Sequence, residues 1–128
     1  MQICAILFLA FAASCKTPEV SSVTHEALIR RDLVWNEQAR YFLFYKPGKF
    51  NQSKTSSRKM IVLLHGGGGN ADRMPEYTGY LFEKLAEASG RVVIVYPNGL
   101  QKGWNDGRDT STIQSQKENV DDVGFLDH

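Results

Sequence analysis

A histidine followed by four glycines is the part of the chain whose residue types are best suited to chemistry. His65 ends a run of apolar residues, and Gly66, Gly67, Gly68 and Gly69 follow it directly. Glycine lets a backbone approach a ligand closely and turn its N–H groups outward. Each glycine costs about 0.5–1 kcal/mol of backbone entropy relative to alanine. Four in succession therefore predict a loop whose N–H groups bind a developing oxyanion.

Two other interpretations of this loop are weaker. The spacing Gly66-x-Gly68-x-x-Ala71 fits a relaxed dinucleotide-binding fingerprint. That fingerprint requires a helix directly after the loop, where Pro75 falls, and an acidic residue after the next strand, where the chain has Asn98. The other alternative is a tight strand-to-helix turn without a ligand, although four glycines are more than a turn needs.

A strand–helix–strand pattern positions the glycine loop. Residues 40–45, 59–65 and 91–96 predict strands, and the five consecutive apolar residues within 59–65 indicate burial on both faces. Residues 78–89 predict a helix ended by Gly90 in a left-handed conformation. Its apolar face is expected to contain Leu81 and Leu85 and to be widened by Tyr80, Ala86 and Ala88. This order is that of a βαβ unit, so the fold class is α/β with a partly parallel sheet.

A long polar stretch, residues 100–119, follows the last strand. Its length without periodicity favours a functional loop over a bare connector. Asp121 and Asp122 then begin a helix, because acidic side chains stabilise the positive end of a helix dipole. We expect these two residues to cap the helix and to pair with a loop cation such as Arg108.

Five motifs follow one another in a fixed order between residues 40 and 126. They are LHGGGGNA at 64–71 with Met74, TG at 78–79, VYPNG at 95–99, WNDGR at 104–108 and VDDVGFL at 120–126. The series resembles the polyhydroxybutyrate depolymerase-like esterases, a family allied to feruloyl and acetylxylan esterases and to secreted bacterial lipoproteins. The resemblance implies an α/β-hydrolase fold and a Ser-His-Asp triad that cleaves carboxylic esters through an acyl-enzyme.

Three residues carry over from the resemblance to this sequence. Gly66 and Gly67 match the loop that provides the first oxyanion donor. Trp104 would line the acyl or aromatic side of the substrate pocket, with a surface-loop anchor packed on the domain as an equal alternative. The implied substrate is a polyester or a plant cell-wall feruloyl or acetyl ester, and neither a cofactor nor a metal ion is implied.

The catalytic triad is absent from the sequence. No serine has a glycine two residues before it and another two residues after it. His25 lies in the N-terminal tether, His65 ends a strand where a structural hydrogen bond is expected, and His128 is the last residue. We therefore expect residues 33–128 to be the truncated N-terminal half of an α/β-hydrolase domain, poorly soluble and inactive alone. The alternative is a non-catalytic surface lipoprotein that keeps a ligand-binding half of the fold.

The N-terminal residues indicate export. Residues 3–13 are uninterruptedly apolar and lead through small residues to Cys15, which predicts a signal peptide or lipoprotein signal over residues 1–15. A lipidated Cys15 would attach the protein to a membrane, whereas plain secretion would cleave near Ser14. Residues 16–32 are expected to form a polar tether. The chain is 42% apolar and 23% charged with a net charge of +1, so no nucleic-acid partner is expected.

Overall fold

The computed structural model describes residues 22–50, 57–108 and 112–128. A 3-10 turn at His25–Ala27 leads to strand β1 (Ile29–Trp35), which forms a hairpin with β2 (Gln38–Tyr45). The two connecting residues, Asn36 and Glu37, both have positive φ, at 46° and 62°. Positive φ at both central positions is what a two-residue hairpin turn needs to match the twist of its strands.

Strand β1 begins inside residues 16–32, the segment expected to be a tether. Its first four residues are exposed and include the charged run from Arg30 to Asp32. An exposed edge strand lacks the alternation of apolar and polar residues by which strands are recognised in a sequence. The folded part of the chain therefore begins earlier than residue 33.

The remaining elements confirm a mixed α/β arrangement. They are β3 (Lys59–Val62), α1 (Met74–Tyr77), α2 (Leu81–Ser89), β4 (Val92–Pro97), α3 (Gln114–Lys117) and α4 (Asp122–Asp127). The four strands are arranged in the order β1-β2-β4-β3, with β3 and β4 parallel and the other pairs antiparallel. Strand β3, helix α2 and strand β4 make the expected βαβ unit. Across the described ranges, no helix has the length and apolar character needed to cross a bilayer.

The apolar core lies between the sheet and helix α2. Leu43 and Tyr45 of β2 and Ile94 and Tyr96 of β4 are buried on one face of the sheet, where they cluster with Ala86 of α2. Within this core the Tyr96 hydroxyl donates a 2.5 Å hydrogen bond to the carboxylate of Glu83, which is fully buried. The polar pair thus fixes how α2 is rotated against the sheet.

The apolar face expected for α2 is wrong at Leu81 and Leu85, which are 53% and 58% exposed. It is right at Ala86, which is buried, and the other buried residue of the helix is Glu83. The helix also begins at Leu81 rather than at residue 78, because Tyr80 has a left-handed backbone conformation with φ of 56°. Its end is as expected, with Gly90 in the left-handed region at φ 63°.

The burial expected for both faces of β3 is also wrong. Met60, Ile61 and Val62 are 66%, 39% and 41% exposed. The strand ends at Val62 rather than at residue 65, although the Leu63 N–H still donates to the Val95 carbonyl at 2.9 Å. In the described part of the chain β3 pairs with β4 alone, so its outer edge and part of its apolar surface are uncovered.

Candidate functional site

Residues 66–69 form a closed turn three residues after the end of β3. The Gly69 N–H donates to the Gly66 carbonyl at 3.0 Å, and the third residue, Gly68, has a φ of +78°. A type II turn requires a positive φ at this position, which glycine adopts without steric strain. The Gly68 N–H is itself engaged, because it donates to the Lys102 carbonyl at 2.8 Å. We call residues 66–69 the glycine turn.

The conformation of the turn does not explain why its first two residues, Gly66 and Gly67, are glycines. The N–H groups of Gly66 and Gly67 have no hydrogen-bond acceptor among the described residues, and both glycines are exposed. A Cβ atom added to either would meet no heavy atom within 4 Å, and neither residue has a positive φ. Close approach of a ligand to these two unpaired N–H groups would account for glycine at both positions.

His65 holds the turn from behind. Its side chain is buried, its Nε2 atom accepts the Gly99 N–H at 2.9 Å, and its Nδ1 atom lies 2.8 Å from the Gly66 carbonyl oxygen. Since a carbonyl can only accept, Nδ1 carries the proton and the ring is the neutral tautomer. The structural hydrogen bond expected for His65 is confirmed.

The loop after β4, residues 98–105, supports the glycine turn at several points, and we call it the bracing loop. Asn98 Oδ1 accepts the Ala71 N–H at 2.9 Å, and Lys102 accepts the Gly68 N–H. The Trp104 indole Nε1 donates to the His65 carbonyl at 2.9 Å, and its ring centroid lies 5.1 Å from that of the imidazole. Trp104 therefore packs on the domain, while contact of Trp104 with a substrate stays a prediction.

The two adjacent aspartates at the start of α4 have different partners. Asp121 caps the helix as expected, because its carboxylate accepts the Gly124 N–H at 2.9 Å. The expected pairing with Arg108 is wrong. Asp122 instead binds Arg40 of β2 at 2.7 Å, with both side chains buried, whereas Arg108 binds Asp106. Arg108 lowers the pKa of the Asp106 carboxyl mainly through their hydrogen bond.

Arg40 is the site residue that sequence reasoning missed. It directly precedes the aromatic-rich run 41–45, and its neighbours in the sequence give no signal that this arginine is directed into the protein. Its guanidinium lies 3.9 Å from the centre of the Phe125 ring of α4. Burial of a guanidinium requires a charged partner, and the partner lies 82 positions later in the chain.

An apolar groove of about 540 Å³ lies on the face of the sheet opposite α2. It is lined by residues of all four strands and of α4, among them Leu33, Phe42, Val95 and Phe125, and also by His128. Neither the glycine turn nor Trp104 lines it. The structure thus brings Gly66, Gly67 and Trp104 together, but away from this groove.

Neither a serine–histidine pair nor a metal centre is seen among the described side chains. No serine hydroxyl in residues 22–50, 57–108 and 112–128 is hydrogen-bonded to His65 or His128. Within the same ranges, no three His, Cys, Asp or Glu side chains lie close enough together to hold a metal ion. What the site offers chemically is a pair of oriented backbone donors.

Comparison with solved structures gives similarity of limited extent. No family model and no curated protein matches the chain. A solved structure named ferulic acid esterase is similar to it at 24% sequence identity with a TM-score of 0.44. The match covers 56% of this chain and 30% of that one. The function is therefore argued from the residues themselves.

Proposed function

We propose that this chain supplies the oxyanion-binding arm of a serine carboxylic-ester hydrolase with an α/β-hydrolase fold. The observation that carries the proposal is that Gly66 and Gly67, on an exposed closed turn, have N–H groups without an acceptor among the described residues. Donors that are fixed in advance stabilise a carbonyl oxygen as it becomes an oxyanion, without reorganising during the reaction. Loss of one such donor lowers kcat by about 10²–10³-fold in serine hydrolases.

The free edge of β3 supports the same proposal. In the family that the sequence resembles, the strand carrying the nucleophilic serine pairs with the strand equivalent to β3. In the described residues that edge of β3 is unpaired, and the glycine turn begins four residues after Val62, the last residue of β3. A serine at the end of a strand added there would stand beside the N–H groups of Gly66 and Gly67.

The substrate class follows from the resemblance. We propose that the substrate is a polyester or a feruloyl or acetyl ester of the plant cell wall. Because no serine of the chain has the Gly-x-Ser-x-Gly surroundings of a nucleophile, the 128 residues should show no turnover of short acyl or feruloyl esters. Turnover above an empty-vector control that a serine-directed inhibitor abolishes would contradict this.

The donor role is tested by titrating the ¹⁵N-labelled chain with methylphosphonate, a tetrahedral anion that resembles the reaction intermediate. We expect the amide resonances of Gly66 and Gly67 to move with a saturable, weak affinity. The Gly68 amide is the internal control, because its N–H is already bound to Lys102. Shifts confined to surface arginines, or no saturable shift at the first two glycines, would contradict the proposal.

The coding sequence after the His128 codon provides an independent test. An in-frame Gly-x-Ser-x-Gly motif supports an esterase in which this chain is the donor-bearing part. A stop codon with no such frame contradicts the esterase and favours the alternative, a non-catalytic surface lipoprotein.

We also propose that the protein is exported and lipidated at Cys15, which lies outside the described residues. Labelling of expressing cells with a palmitate analogue should mark the wild-type protein and the Cys4→Ser variant. The Cys15→Ser variant should be unlabelled and released from the membrane fraction. Equal labelling of all three, or of none, contradicts lipidation at Cys15.

A further inference from the structure

The ion pair of Arg40 and Asp122 contacts both ends of the bracing loop. At the start of the loop, Arg40 Nη2 lies 3.4 Å from the Asn98 carbonyl oxygen. At its end, Asp122 Oδ2 accepts the Asn105 N–H at 2.6 Å. The same carboxylate binds Arg40 through its other oxygen at 2.7 Å. One carboxylate thus joins helix α4, strand β2 and the loop that supports the glycine turn.

We propose that Asp122 is a positioning residue, which sets the geometry of the glycine turn from the start of α4 through the bracing loop. The path has three short steps. Asp122 fixes the backbone at Asn105, the neighbouring Trp104 holds the His65 carbonyl, and His65 holds Gly66. Only the identity of the bound group, an ester oxyanion, rests on the proposed function; the coupling itself does not.

The burial of the pair makes this coupling stiff. The side chains of Arg40 and Asp122 are 1% and 4% exposed, so water cannot replace either partner without reopening the core. Arg40 Nε and Nη1 have no hydrogen-bond partner among the described residues. The charge of the guanidinium is therefore balanced by Asp122, and the carboxylate cannot move without leaving a buried cation unpaired.

The neighbouring aspartate offers a matched control. Asp121 is exposed, and its carboxylate caps α4 and accepts hydrogen bonds from Trp35 and Asn36 of the β1–β2 hairpin at 3.3 Å and 3.4 Å. Asp122 is buried and is the aspartate that binds the bracing loop. Asp121→Asn and Asp122→Asn are the same chemical change at adjacent positions of one helix. If Asp122 mattered only for the stability of α4, the two variants should disturb the glycine turn alike.

Amide and indole resonances of the full chain, with hydrogen exchange, provide the readout. Asp122→Asn should shift the Trp104 indole N–H and the amides of the glycine turn, and should speed exchange of the Gly68 amide about tenfold relative to the core amides of Leu43 and Ile94. Asp121→Asn should leave the glycine turn unchanged. Equal effects of both variants, or a Gly68 amide that follows the core amides, would overturn the proposal.

A double variant separates positioning from stability, and covers the case in which Asp122→Asn does not fold. Arg40→Met with Asp122→Leu replaces the buried pair by apolar groups, which restores folding in comparable buried pairs. It also removes the acceptor of the Asn105 N–H. We expect this double variant to unfold cooperatively. The Trp104 indole and Gly68 amide resonances should still differ from their wild-type positions. Their return to wild-type values would show that Asp122 is merely structural.

These readouts need no ligand. A failed methylphosphonate titration with an intact Asp122 effect would reject the oxyanion role and keep the coupling. A successful titration without an Asp122 effect would reject the coupling and keep the oxyanion role.

Discussion

The Nε2 atom of His65 accepts the backbone N–H of Gly99 at 2.9 Å. With Nδ1 donating to the Gly66 carbonyl, both ring nitrogens are used within the fold. The Gly66 carbonyl receives a second hydrogen bond from the Gly69 N–H, which closes the turn. A histidine held in this way orients a turn. The N–H groups of Gly66 and Gly67 have no acceptor among the described residues, and the proposed donor role rests on them.

Alanine substitutions should separate the glycines of the turn by their roles. Gly68→Ala should lower the free energy of unfolding by about 1–2 kcal/mol, because φ at +78° is the left-handed region that a Cβ disfavours. Gly67→Ala should change it little or raise it by about 0.4–1 kcal/mol, since the Cβ has open space and the unfolded chain loses freedom.

Urea unfolding of the two variants beside wild type measures this difference. A loss for Gly67→Ala as large as that for Gly68→Ala would mean that the turn itself requires glycine at both positions. The first two glycines would then have a structural explanation, and the case for a ligand would weaken.

Three tyrosines of the sheet should make the fold sensitive to alkali. Tyr41, Tyr45 and Tyr96 each donate a hydrogen bond to a carboxylate of the helical layer, on Asp72, Glu87 and Glu83. Burial and then the acceptor carboxylate raise the pKa of Tyr41 to about 12. The same causes raise the pKa of Tyr45 and of Tyr96 further.

The sign of the effect follows from proton linkage. A tyrosine whose pKa is raised in the folded state gives its full stabilisation below the unfolded pKa of about 10, and this is lost as the pH rises toward the folded pKa. We expect the free energy of unfolding to be flat from pH 7 to 9 and to fall above pH 10. The triple variant Tyr41→Phe, Tyr45→Phe, Tyr96→Phe should flatten that fall. Equal alkaline slopes for variant and wild type would contradict it.

Local patterns predicted the elements whose signals are local. The parallel strands, the left-handed Gly90 and the cap at Asp121 each depend on residues within a few positions of one another, so composition and spacing suffice. The glycine turn belongs to the same class. Strand β1 was not predicted, because its exposed residues do not alternate between apolar and polar types.

Long-range pairs decided the features that local patterns missed. The buried Glu83 lies on the core side of α2 because its carboxylate accepts the Tyr96 hydroxyl from a later strand. Arg40 and Asp122 find each other across most of the chain. No periodicity within one element reports such a partner, so the rotation of α2 and the role of Asp122 emerge only once the sheet is assembled.

The rotation of α2 can be tested by two neighbouring substitutions. Leu85→Gln should change the free energy of unfolding by no more than about 0.5 kcal/mol, because the side chain is 58% exposed. Ala86→Leu should destabilise the fold by about 1–3 kcal/mol, because Ala86 is buried against the sheet and has no room for three more carbons. Chemical unfolding gives both values. The reverse order would mean that Leu85 is directed inward, as the sequence periodicity suggested.

The unpaired edge of β3 should make the 128-residue chain self-associate. Exposed backbone N–H and C=O groups flanked by apolar side chains are a template for further strands, and a lysine on such an edge suppresses pairing. The apparent mass of the wild type, measured by light scattering after gel filtration, should therefore rise with protein concentration, and Met60→Lys should reduce that rise. Val123→Lys adds the same charge at a residue of α4 that is 75% exposed, and should have no such effect.

Wild-type chain that stays monomeric, with a sharp and reversible thermal transition, would show that the edge is protected in solution. If both lysine variants reduced self-association equally, net charge would be the cause, because pairing at the β3 edge should respond to the substitution at Met60 alone.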